Sequence, residues 1–219
     1  MHTYEEIRND KAIRTYIEAA DKGLMALGFT EHSFAHVTRV AEDASRLLAF
    51  LGFDERTQEL TRIAGFMHDI GNIVNRHDHS QSGALLTFSL LTERGFSPEE
   101  IAPIVSAIGN HDEDSGSPVS PMAAALILAD KADVRRSRVR DVRDTEYDIH
   151  DRVNYSVTES SLSFDKEKSE VRLTLTIDTE ISSVLEYFEI FTERMLLCRK
   201  AALILGLRFR LFVNGQALI

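Results

Sequence analysis

The chain has 219 residues, 43% of them hydrophobic and 27% charged, and its 35 Asp plus Glu against 25 Lys plus Arg give a formal net charge of −10. That is the composition of one globular domain, or of one domain with a small appendage; 11 glycines and 4 prolines are too few for a collagen-like or low-complexity chain. The acidic balance speaks against broad nucleic-acid binding, so any phosphate handled here has to meet a local positive centre.

Thr3 and Glu6 form a capping box that opens a first predicted helix, with Ile13, Tyr16, Ile17, Ala20 and Leu24 at helical spacing. Ser33 caps a second, whose apolar stripe runs through Val37, Val40, Ala41, Ala44, Leu47, Leu48 and Leu51. A third spans Glu55 to Ile70 and ends at Gly71, where a C-terminal cap is expected. Ser80 opens a fourth. Ser97, Pro98 and Glu100 combine an N-cap, a first-turn proline and a capping-box partner for a fifth, through Ile101, Ile104, Val105 and Ile108. Pro121 starts a sixth, carrying Leu126 and Ile127. Past about residue 150 the period changes from 3.6 to 2: Val171, Leu173, Leu175 and Ile177 alternate with polar residues, and so do Leu207, Phe209, Leu211 and Val213. Tyr155 to Phe164 is a less regular strand, joined to the next through the charged turn Asp165 to Lys168, and a long helix from about Glu180 to Leu205 separates the strands. The predicted architecture is mainly α: a helical domain over residues 1–150 and a small C-terminal ββαβ (α+β) subdomain over 151–219.

The longest uncharged run, Ser115 to Ala129, falls short of the roughly 18 to 20 apolar residues of a membrane span, so no membrane helix is expected. Met1 to Lys11 lacks the apolar stretch of a secretory signal. Cys198 is the single cysteine, which excludes an internal disulfide framework and a thiolate zinc cluster. Together these predict a cytoplasmic protein.

His36, His68, His79 and His111 fall at or beside the inward stripe of a predicted helix: His36 precedes Val40 by one turn, His68 follows Ala64 by four residues, His111 follows Ile108 by three. Asp130 follows Leu126 by four, where the stripe asks for leucine. Burying imidazoles and carboxylates unpaired costs several kcal/mol for each charged group, and a shared cation satisfies all of them at once. Imidazole nitrogen and carboxylate oxygen suit Mn, Fe, Co, Ni or Zn better than Ca. His68 and Asp69 are neighbours, about 100° apart on a helix, so both reach one site only at a helix end. An aspartate so placed can give one oxygen to each of two metals. The plainer reading of any single histidine, a satisfied core residue, loses weight when five inward polar positions coincide on different helices.

The segments His36-Val-Thr-Arg-Val-Ala, His68-Asp-Ile-Gly, His79-Ser-Gln-Ser-Gly-Ala, Asn110-His-Asp-Glu and Ala129-Asp-Lys-Ala-Asp resemble, in order, the pattern of HD-domain metal-dependent phosphohydrolases. The resemblance implies an HD-type helical bundle around a metal site, and hydrolysis of a phosphoester or phosphoanhydride by a metal-activated water. The partner it implies is a small phosphorylated substrate, commonly a nucleotide. Carried over position by position, His36, His68, Asp69 and Asp130 hold one divalent transition metal; Asp69, His79 and His111 hold a second, with Asp69 bridging. Asp69 and Lys131 are the catalytic candidates. Lys131, beside Asp130, is a phosphate clamp on this reading and an exposed helix lysine on the plainer one. The stretch Arg135, Arg136, Arg138, Arg140 and Arg143, interleaved with Asp133, Asp141 and Asp144, reads as a solvated helix face rather than a phosphate site. His32 and Asp112 together suit a third metal, and His77 competes with His79 for the loop position. Asn72 and Asp112 depart from the cyclic-dinucleotide branch resembling HD-GYP proteins, which carries Lys and His there. Two other functions share the ligand set: a di-iron oxygenase similar in fold to inositol oxygenase, and a non-catalytic metal or nucleotide sensor with the ββαβ layer as output. The tail carries no predicted chemistry. Cys198 reads as a small core residue, and the sheet is left to cover the bundle, bind an effector or make a homodimer.

Overall fold

In the computed structural model, which describes residues 2–140 and 148–219, the first predicted helix is two. The Thr3–Glu6 capping box starts α1 (Tyr4–Asn9). Asp10 then leaves helical geometry and its carboxylate accepts from the amides of Ala12 and Ile13, so it caps α2 (Lys11–Ala26). The competing signal was a second N-cap hidden inside an unbroken apolar period. Ser33 caps α3 (Phe34–Phe50), Asp54 caps α4 (Glu55–Met67), and α5 (His79–Glu93), α6 (Pro98–Gly109) and α7 (Pro121–Ala132) follow. Helix α7 is buried on nearly every side, as expected of a helix without a polar face. It packs against α3, α4 and α6 and forms the axis of the bundle.

Two close approaches fix the end of the bundle that matters. A Cβ on Gly65 of α4 would lie 2.6 Å from the Cα of Ala41 of α3, so these helices touch backbone to backbone, which brings their histidine-bearing ends together. Gly71 is no helix cap. Helix α4 ends at Met67, with His68 as its C-cap, and Gly71 lies in a 3-10 turn over Ile70–Ile73. A Cβ on Gly71 would sit 2.0 Å from the carbonyl oxygen of His79, and only glycine lets this turn lie on the first turn of α5.

Beyond the bundle, α8 (Ile149–Ser156) occupies Tyr155 and Ser156, where the alternation predicts strand. The layer continues as β1 (Val157–Asp165), β2 (Glu170–Ile177), α9 (Val184–Ile204) and β3 (Arg208–Val213), the predicted ββαβ order, and ends in a two-residue β4 (Gln216–Ala217). The sheet order is β1-β2-β3-β4, with β2 and β3 parallel across the α9 crossover and the other pairs antiparallel. The layer covers the bundle: α9 packs on α7, Arg39 and Arg46 of α3 donate to the Ser160 and Leu162 carbonyls of β1, and Ser160 Oγ donates to the Ala132 carbonyl. Among the described residues, no helix is long and apolar enough to cross a membrane.

Candidate metal centre

The structure brings all six predicted ligands to one end of the bundle, each at or near a helix end. His36 lies in the first turn of α3, His68 caps α4, His79 begins α5, His111 follows the C-cap of α6, and Asp130 lies in the last turn of α7. Asp69 stands where α4 passes into the 3-10 turn. Its Oδ2 is 3.5 Å from His36 Nε2 and 3.3 Å from His68 Nε2, while its Oδ1 is 3.5 Å from His79 Nε2. Asp130 Oδ1 lies 3.3 Å from His36 Nε2 and 3.6 Å from His68 Nε2. His79 and His111 set their Nε2 atoms 3.2 Å apart.

Hydrogen bonding at the other ring nitrogen decides what faces the centre. His68 Nδ1 is 2.7 Å from the Gly65 carbonyl, His79 Nδ1 is 3.1 Å from that of Arg76, and His111 Nδ1 is 2.7 Å from that of Ile108. Carbonyl oxygens only accept, so each Nδ1 carries the proton. His36 Nδ1 donates in the same way to Asp133 Oδ2 at 2.8 Å. In the neutral rings every Nε2 lone pair therefore points inward, at carboxylate oxygens or at another lone pair. His36 Nε2, His68 Nε2 and Asp69 Oδ2 are buried with no hydrogen-bond partner. Facing acceptors without a donor repel, and a cation between them reverses the sign. The donor set fits divalent cations in two groups, His36, His68 and Asp130 on one side, and His68, Asp69 and His111 close together on the other.

Residues 33–136 match the family model of the HD domain. This segment is an HD domain. The chain is also 26% identical over 172 residues to uncharacterized protein MJ1020 of Methanocaldococcus jannaschii, covering 67% of this chain and 65% of that protein, so it spans just under two thirds of that relative. A crystal structure of a predicted HD superfamily hydrolase from an uncultured Thermotogales bacterium is similar as well, at 26% identity and a TM-score of 0.46, over 62% of this chain and 75% of that one. HD domains bind divalent metal ions, and the donors described above are the residues available for them here.

The electrostatics of this HD domain divide the ligands. Burial works against a charged His68, but Asp69 and Asp130 outweigh it and push the imidazole up to about 10. His111 goes the other way, to about 3, through burial and the positive charges of His68 and Lys131. Asp69 and Asp130 are held well below the usual carboxylate range; burial opposes this, and His68 with His36 for Asp69, and Lys131 with both histidines for Asp130, overcome it. A divalent cation held there would take the place of the proton on His68 and meet the same carboxylates.

Around the ligands lies a layer that sequence periodicity read differently. Lys131 is 4% exposed, not a surface lysine. Its ammonium is 2.8 Å from Asp130 Oδ2 and ion-paired with Glu113, which takes Arg194 of α9 at 3.0 Å. Lys131 thus holds Asp130 and Glu113 together. The arginine stretch is no solvated helix face either. Residues Arg136–Arg138 form a 3-10 turn, Asp133 is 1% exposed, and Arg39, Arg135 and Arg138 surround it while it holds His36. Arg143, Asp141 and Asp144 lie outside the described residues. Asn72 donates to Asp69 Oδ1 at 3.0 Å and fixes the orientation of that carboxylate. His77 is exposed and pairs with Asp78, away from the centre. His32 lines the cavity above it, with Nδ1 on the Thr30 carbonyl. Cys198 is buried in the core, its thiol pushed up to about 12 by burial.

The centre opens into a cavity of about 360 Å³ whose floor includes Asp69, His79, His111 and Asp130. Arg76, Lys131, Arg138 and Arg194 line it. Arg194 and Phe191 come from α9, so the tail, which sequence reading left without chemistry, contributes a charge to this cavity. Arg194 had a signal: Tyr187, Phe191, Cys198 and Ala201 form the buried stripe of α9, and Arg194 stands within it.

Proposed function

We propose that the chain is a metal-dependent phosphohydrolase that cleaves a phosphoester or phosphoanhydride of a nucleotide or similar small phosphorylated molecule. Two divalent transition metals (Mn, Fe, Co, Ni or Zn) would be held, the first by His36, His68, Asp69 and Asp130, the second by Asp69, His79 and His111. The observation that carries this reading is the division of Asp69, with Oδ2 toward His36 and His68 and Oδ1 toward His79. Bound there, the ions would acidify a water and draw in a phosphoryl oxygen.

The chain's own residues supply the rest. Asp133 and the backbone carbonyls lock the four imidazoles in the tautomer that offers Nε2. Asn72 orients Asp69. Arg76 is held only loosely, with Nη1 3.4 Å from both Asn72 Oδ1 and His79 Nε2, so its guanidinium is available to a phosphoryl oxygen at the second position. The cluster of guanidinium groups around the cavity supports an anionic substrate and favours phosphate chemistry over oxygen activation. Phosphate release from a panel of phosphorylated substrates, assayed with Mn, Co, Ni, Fe and Mg in air and without oxygen, is the test. Metal-dependent release that is indifferent to oxygen is expected; oxygen consumption without phosphate release contradicts the reading.

A further inference from the structure

Among the described residues four Lys and Arg side chains line the cavity, and two of them are turned onto protein oxygens. Lys131 lies between Asp130 and Glu113. Arg138 is buried and donates to the carbonyls of Glu31 and Asp133 at 2.8 and 2.7 Å. The other two have donors to spare. Arg76 makes two long polar contacts beside His79 and lies 5.8 Å over the Phe29 ring, so most of its N–H donors remain without a short partner. Arg194 gives Nη2 to Glu113, stacks its guanidinium carbon 4.3 Å over the Phe191 ring, and leaves Nε buried with no hydrogen-bond partner. These two stand at different places relative to the Asp69 carboxylate: Arg76 touches His79 at the second metal position, and Arg194 lies beyond Asp130, three ion pairs away through Lys131 and Glu113. A single phosphoryl group seated over the ions next to Arg76 leaves Arg194 unused.

Charge leads to the same place. Arg138 is neutralised by Asp133. Two divalent ions with Arg76, Lys131 and Arg194, set against Asp69, Glu113, Asp130 and the lining carboxylate of Asp151, leave about three positive charges in excess. A phosphomonoester dianion cancels about two of them. Asp148, which also lines the cavity, is exposed and caps α8, so water screens it.

Resting on the phosphohydrolase reading, we infer that Arg194 is a specificity-determining residue: it binds a second anionic group on the substrate, so this site prefers a phosphorylated molecule with two anionic groups, such as a diphosphate, over a simple monoester. The residue belongs to α9, outside the matched HD segment of residues 33–136, and through it the C-terminal layer selects what the HD centre cleaves. The guanidinium is preorganised by Phe191 and Glu113, which lowers the entropy lost when it takes a second partner.

The test is binding by calorimetry to full-length protein at a fixed, buffered free concentration of Mn, with inorganic phosphate and non-hydrolysable methylenediphosphonate as probes. Wild type should bind the diphosphonate about tenfold or more tightly than phosphate, the scale of one charge-assisted hydrogen-bonded contact. Arg194→Gln should bring the two affinities within about threefold, chiefly by losing diphosphonate, and Arg194→Lys, which keeps the charge without the fork, should fall between. Metal content and Tm are measured on each variant, and Lys serves where Gln does not fold. Equal loss of both probes in Arg194→Gln makes Arg194 only a prop for Glu113 and overturns the inference. An unchanged ratio overturns it too and leaves the phosphohydrolase reading standing. Failure of metal-loaded wild type to bind either probe overturns both.

Discussion

His36, His68, His79 and His111 reach the centre with one nitrogen pinned and the other facing inward, whereas Lys131 and Arg194 line the cavity already paired through Glu113. The first group sets ring nitrogens and carboxylates facing one another, a donor set that suits a cation. The second is a chain of alternating charges, stable by itself, that surrounds the first and sets the sign of the cavity. The difference teaches where to look for each kind of defect: removing a ligand should change how many ions bind, and removing a paired cation should change which anion binds.

The largest effect should come from Asp69→Asn. It keeps the volume but removes the charge shared by the two groups, so both ions should weaken and hydrolysis of the best substrate should fall by about 10³-fold or more, read by elemental analysis and turnover. His79→Ala or His111→Ala should break the symmetry of that loss, leaving about one ion per chain in the position built from His36, His68 and Asp130. If either variant keeps two ions and full turnover, the second position is not built from these residues.

Asp133→Asn sharpens the comparison further, since Asp133 touches no ion. Weakening the acceptor for His36 Nδ1 should lower affinity at the first position by about 10- to 100-fold and leave the second nearly unchanged, as measured by competition with a metal indicator. The smallest effect lies away from the centre. Asp10→Ala removes the α2 cap and the partner of Arg94, and should cost about 1 kcal/mol of stability with metal content unchanged. Its pH dependence has a definite sign. Arg94, with the helix amides, holds the Asp10 carboxyl below its ordinary value against the opposing effect of burial. The stabilisation is therefore present above about pH 4, the unfolded value, and fades as pH falls through the lower native one. The gap in Tm between wild type and variant should narrow over that acidic window.

Much of this was legible in the sequence because the helical period makes polar intruders visible. Asp130 stands where leucine belongs on α7, and the caps Ser33 and Ser97 and the first-turn proline Pro121 fix the helices that carry the ligands. Asp10 was hidden because an apolar stripe continues unbroken across a helix junction when both helices pack on the same core. Gly71 was misread because a glycine after a helix suits a left-handed cap and a close backbone approach equally well, and only the position of His79 distinguishes them. Asp133 and Arg138 looked like a solvated face since alternating charges satisfy one another in water or in the interior. Arg194 intrudes into the α9 stripe just as Asp130 does on α7, but long-range pairing with Glu113 leaves no local spacing to detect.

The most direct test of the bridged centre is the electron paramagnetic resonance of protein stripped of metal and titrated with Mn. If the two oxygens of Asp69 serve two ions, binding should saturate at two per chain, and the second equivalent should convert the isolated-ion spectrum into that of a spin-coupled pair, a conversion lost in Asp69→Asn. Saturation at one ion, or two ions whose spectra simply add, would contradict the account.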